Sequence, residues 1–142
     1  MSIPTELPDA RAALEQVVAA WNQAGSTWNA AGLAATYAED GLLFGGRPGH
    51  AVGRAAIQGY FASYDGVILA GAMQMQDTEF RTLASDCVLA QGMVDFRFTL
   101  AGDEQTRSTL RATLVLRREA DRWRIVEHHF SPVPAAPPLG KD

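Results

Sequence analysis

The stretch "RATLVLRREADRWRIVEHHFS", residues 111–131, carries two runs with strand-like alternation on either side of an "EAD" break. Leu110, Ala112, Leu114 and Leu116 alternate with Thr109, Arg111, Thr113 and Val115. A period of two belongs to a β-strand with one face packed, and a short acidic break between two such runs is a hairpin signal. The spacing predicts strands over 106–118 and 122–131. Working back along the chain, Val94, Phe96, Phe98 and Leu100 alternate with Asp95, Arg97 and Thr99. Strands are therefore expected over 88–100 and 73–83 as well, joined by "SD" and "AGDE" turns. Four consecutive strands with short connections make an antiparallel meander.

Before residue 70 the period is helical. Leu14, Val17, Val18 and Trp21 fall at i, i+3, i+4 and i+7, with Asp9 placed to cap the start and Gly25 to end the helix. A second helix is expected from Ser26 or Thr27 through Trp28, Leu33 and Tyr37 to about Glu39. A short strand follows over Leu42–Phe44, and a third helix carries Ile57, Tyr60, Phe61 and Tyr64. Helices first and a meander afterwards is an α+β pattern: three N-terminal helices packed on a curved, mainly antiparallel sheet. Both strand faces hold apolar residues, so a second copy of the chain is expected on the face that the helices leave bare.

Composition bounds the function. The 142 residues suit one domain over 9–132, preceded by an arm over 1–8 and followed by a proline-rich tail over 133–142. The net charge of −4 argues against nucleic acid and anionic membranes as partners. The single cysteine, Cys87, excludes an internal disulfide and fits a reducing, cytoplasmic setting. Beside Asp86 it makes a poor nucleophile. No signal peptide and no span of membrane length is read in the chain.

Three segments together carry a family resemblance: "YAEDGLLF", "GRAAIQGYF" and the last hairpin quoted above. The chain resembles the nuclear-transport-factor-2-like superfamily of cone-shaped α+β proteins, closest to its SnoaL-like, ketosteroid-isomerase-like members, over roughly residues 10–132. The resemblance implies helices closing over a curved sheet, a pocket open at one end, and dimers formed through the convex sheet face. It implies no cofactor, and a small, partly apolar ligand with a carbonyl or anionic group. Activity of isomerase or dehydratase type is one expectation, and a binding module or an association domain without chemistry is the alternative. Steroid isomerisation by the family mechanism is not expected. Gly45 and Gly46 stand near the position of the family's carboxylate base, and Val17 stands in place of its tyrosine donor.

Strict alternation through residues 122–131 puts Glu127 and His129 on one face and His128 on the other, so the two histidines cannot share a metal. The family ending implies that His129 faces the cone. His129 is then either a general acid/base or a histidine fixed to a backbone carbonyl. Arg111 is the candidate for binding a ligand carboxylate or enolate, or else for pairing with Glu127 or Asp95. Glu127, if buried, must be neutralised or paired with a cation such as Arg111. Trp21, Trp28, Tyr37, Tyr60 and Phe61 either line an apolar ligand cavity or are plain core. Asp40 reads as a turn carboxylate, and Asp95 with Arg97 as a pair on the convex side.

Overall fold

A computed structural model describes residues 7–141; most of the expected arm over 1–8 lies outside the described residues. The elements run α1 (Ala10–Gly25), α2 (Ala30–Ala35), β1 (Tyr37–Phe44), β2 (Ala51–Val52), α3 (Arg54–Ala62), β3 (Ile68–Ala84), β4 (Cys87–Leu100), β5 (Glu104–Glu119) and β6 (Arg122–Ser131). The strands form one open sheet in the order β2-β1-β6-β5-β4-β3. Its pairings are antiparallel except β1 with β6, which is parallel. The three helices cover one face of this curved sheet, and the core lies between the layers.

Helix α1 starts where its cap says it should: the Asp9 carboxylate accepts the Ala12 N–H at 3.1 Å. Its buried stripe of Leu14, Val17 and Trp21 lies toward the sheet. Asn22 fixes the height of the helix on β3. Its side chain donates to the Met73 carbonyl at 3.0 Å and accepts the Met73 N–H at 2.8 Å, replacing a missing strand neighbour.

The second helix is shorter than its apolar spacing predicts. Asn29 caps it, accepting the Gly32 N–H at 3.1 Å, and the Thr36 hydroxyl closes it by donating to the Leu33 carbonyl at 2.7 Å. Tyr37 therefore opens β1 instead of continuing a helix. It pairs with Ile125 and is completely buried. Pairing with β6 and full burial of a large ring outweigh a weak helical preference here. The two-residue strand β2, between the expected short strand and the third helix, pairs with Leu42 and Leu43.

Register shifts interrupt several of the ladders, including one midway along β3 and one in β6. In β3 the register slips between Gln76 and Glu79, and Asp77 adopts a left-handed φ of 49°. In β6, Leu116 pairs with Ile125 but the next residue of β5, Val115, pairs with Glu127. Val126 is thus an extra residue, a β-bulge that shifts the alternation of everything after it.

Candidate site: an aromatic cavity in the cone

The bulge at Val126 reverses the expected placement of the histidines. Ile125 and His128 both face the helices and are fully buried, while His129 lies exposed on the outer face. Strict alternation holds only for an unbroken ladder, and one inserted residue changes the face of each later side chain. His128 Nδ1 and the Tyr37 hydroxyl are hydrogen-bonded at 2.8 Å, and the imidazole Nε2 has no partner. Burial pushes the His128 pKa down to about 3, with His129 adding a smaller push in the same direction. Its ring is neutral at ordinary pH. Burial likewise raises the Tyr37 hydroxyl far above its usual value, opposed by the Trp21 indole N–H, which stands on that side without hydrogen-bond geometry.

In front of this pair lies a cavity of about 160 Å³. Its wall on the helix side is made by Trp21, Trp28, Tyr60, Phe61 and Tyr64, and its sheet wall by Phe96, Phe98, Leu110 and Phe130. The rings meet mainly edge to face, as aromatic quadrupoles prefer: Trp21 and Trp28 at 6.2 Å and 79°, Trp28 and Phe98 at 6.1 Å and 79°. Trp28 has a left-handed φ of 47°, uncommon for a bulky residue. Its indole N–H donates to the Phe61 carbonyl at 3.1 Å, which holds the strained residue in place. Few polar groups join the lining. The Tyr60 oxygen accepts the Gly46 N–H at 2.8 Å, and Ser108 also reaches the cavity. The described lining includes no carboxylate and no imidazole.

Four of the residues expected to line a pocket therefore meet there: Trp21, Trp28, Tyr60 and Phe61. Tyr37 sits one layer behind, 5.8 Å from the Phe61 ring. The sheet wall, missed as lining, was visible as alternation: Phe96 and Phe98 share a face, and so do Ser108 and Leu110.

Arg111, Glu127 and His129 are elsewhere. All three lie on the outer sheet face, where Arg111 and His129 join Asp77, Glu79 and Ser131 around a shallow groove. Arg111 pairs across the ladder with Ser131, whereas Glu127 faces Val115, four residues along β5. The Arg111–Glu127 pair, one of the alternatives for Arg111, does not form, and burial alone raises the Glu127 pKa. Asp95 is on that outer face as expected, but its partner is Arg107, not Arg97. It accepts from Arg107 at 2.6 Å, Thr109 at 2.6 Å and Gln76 at 2.8 Å, and the Thr109 hydroxyl is the main reason its pKa falls. Asp40 lies in β1 rather than in a turn and pairs with Arg117 at 2.8 Å. Burial, and then Asp86, raise the Cys87 thiol. Among the described residues no group of three or more His, Cys, Asp or Glu gathers in a way that would hold a metal, and no helix is long and apolar enough to cross a membrane.

A signature described as a SnoaL-like domain matches residues 14–136. The chain belongs to the SnoaL-like domain family. Within the nuclear-transport-factor-2-like superfamily, this SnoaL-like chain is similar to a candidate calcium/calmodulin-dependent protein kinase II association domain from Xanthomonas campestris. The identity is 24%, with 96% of this chain and 95% of that one covered and a TM-score of 0.79. It is also similar to an uncharacterised protein with a cystatin-like fold from Caulobacter vibrioides, at 21% identity, 90% and 92% coverage and a TM-score of 0.70. A ketosteroid isomerase-like protein from Erwinia carotovora atroseptica shares 21% identity, with 93% and 99% coverage and a TM-score of 0.68. At these identities the likeness is one of fold. No curated protein matches the sequence.

Proposed function

We propose that this SnoaL-like protein binds a small ligand, about one six-membered ring in size, inside the cone. The supporting observation is the cavity: about 160 Å³, walled mainly by aromatic rings, with few polar groups among its lining residues. An apolar cavity of about 150 Å³ is enough for benzene. The Tyr60 oxygen is already engaged by Gly46, which leaves its O–H as a donor for a ligand carbonyl. Burial raises this hydroxyl far above the ordinary tyrosine range, so it serves as a donor and not as a base.

Proton-transfer chemistry of isomerase or dehydratase type is the second reading, favoured by the unpartnered Nε2 of buried, neutral His128. It requires the ligand to reach that nitrogen past Phe130, whose ring lies 5.0 Å from the imidazole. We also propose a cytoplasmic homodimer paired through the outer sheet face, consistent with the likeness to an association domain. That face carries Arg111, Glu127 and His129.

Saturation-transfer NMR with a panel of one-ring compounds tests the binding reading. Wild type is expected to bind several, and Ser108→Trp, which plugs the cavity from an exposed position, none. Binding that survives the plug, or no binding by wild type, overturns it. Turnover of a bound compound, lost in His128→Gln, would establish the second reading.

A further inference from the structure

Gly46 lines the cavity beside the Tyr60 hydroxyl, and Gly45 precedes it. A Cβ on Gly46 would come within 3.0 Å of the Tyr64 hydroxyl and 3.5 Å of the Tyr60 hydroxyl. One on Gly45 would come within 2.5 Å of the Tyr60 hydroxyl and 3.0 Å of Phe130. Two phenol hydroxyls therefore converge on a stretch of bare backbone that any side chain would fill. The next residue is Arg47. Its guanidinium lies 4.2 Å over the ring of Tyr64, a cavity wall, and donates to the Ser63 hydroxyl at 3.3 Å and the Ser63 carbonyl at 3.2 Å. Among the described residues no carboxylate lies within 4 Å of it.

We infer that this rim recognises an anionic substituent, so that the ligand class is a one-ring carboxylate: ring in the aromatic cavity, carboxylate between the Tyr60 and Tyr64 hydroxyls and Arg47. The inference rests on the cavity being a binding site, as proposed above. The chemistry is complementary at each point. The rings offer edges and faces to an apolar body. Each phenol offers an O–H donor. The guanidinium, already oriented by Tyr64 and Ser63, keeps further N–H donors and its full charge for a carboxylate. A neutral ligand of the same shape would use the cavity and leave Arg47 unused. The anion-recognising arginine of this chain is then Arg47, on the loop between β1 and β2, rather than Arg111 on the outer face.

Calorimetric titration with benzoate and benzyl alcohol, near-isosteric and differing in charge, tests this in wild type and Arg47→Met. Arg47 is exposed, so the variant is expected to keep the wild-type melting temperature. Wild type should bind benzoate roughly tenfold more tightly than the alcohol at low salt, a margin expected of a charge-assisted contact and one that narrows as salt rises. Arg47→Met should lower benzoate to the level of the alcohol and leave the alcohol unchanged. Gly46→Val should weaken both probes. Equal affinities in wild type, or a benzoate preference that survives Arg47→Met, overturn the assignment of Arg47 while leaving the cavity reading intact. If neither probe binds, the cavity reading falls and this inference with it.

Discussion

His128 is held neutral inside the protein, with one ring nitrogen bonded to Tyr37 and the other unpartnered. In an unfolded chain the same imidazole takes up a proton near pH 6.5, whereas in the fold it does so only near pH 3. Between those values the unfolded state binds the extra proton, so acid favours unfolding. The contribution is fully present above about pH 6.5 and is lost as the pH falls towards 3, by up to roughly 1 kcal/mol per pH unit. Comparing urea midpoints at pH 7.5 and 4.5 checks this: His128→Gln should show a clearly flatter pH dependence than wild type. Equal slopes would mean that the buried imidazole is not the acid-sensitive group. Trp28 presents the same balance in steric form. A strained backbone is kept because its ring meets Trp21, Phe61, Tyr64 and Phe98, and Trp28→Ala is expected to cost about 3–5 kcal/mol by chemical denaturation.

Secondary elements are placed by a few polar clamps as much as by apolar stripes. Asn22 is the clearest, because one amide satisfies both the N–H and the C=O of Met73. Asn22→Ala leaves both groups unpaired in a half-buried site and should destabilise by about 2 kcal/mol. Hydrogen exchange should show faster exchange at Met73, while an unchanged rate would show that water replaces the amide. The elements that could be read from sequence are those with long, regular periods. The β6 bounds, 122–131, coincide with its alternation, and Asp9 caps α1 as its position implied. The α2–β1 boundary was hidden because Leu33 and Tyr37 are spaced as on a helix, while Tyr37 is claimed by Ile125, 88 residues later in the chain. The bulge at Val126 was hidden for a stronger reason. Nothing local distinguishes an inserted valine from a laddered one, yet it decides which histidine is buried. The cavity lining from the helices was legible, but Arg111, Glu127 and His129 were assigned to it through an alternation that the bulge breaks or through a resemblance that does not fix faces.

For the whole molecule, the proposed assembly falls on the outer sheet face. It is more polar than its composition suggested: Gln91, Asp95 and Arg97 of β4 and Arg107, Thr109, Arg111 and Arg117 of β5 stand there, with Met93 and Val115 half-buried among them. Asp95 is nonetheless sealed by its three donors, so the centre of the face presents a satisfied, rigid surface to a partner. Sedimentation velocity from 1 to 100 µM, a range chosen as roughly that of ordinary dimer constants, should report a dimer. Met93→Asp should shift it to a monomer that still melts cooperatively, and a wild-type monomer throughout would remove the pairing. The open sheet has another consequence. β3 is an edge strand of 17 residues, and apart from Met73, whose groups Asn22 holds, its outer edge is long enough to template the growth of foreign sheet. The slip between Gln76 and Glu79, with Asp77 turned left-handed, divides that edge into two shorter runs whose repeats are out of step. An incoming strand in register with one half is out of register with the other. The kink in the longest strand thus makes it a poorer template for an incoming strand than an unbroken edge of the same length.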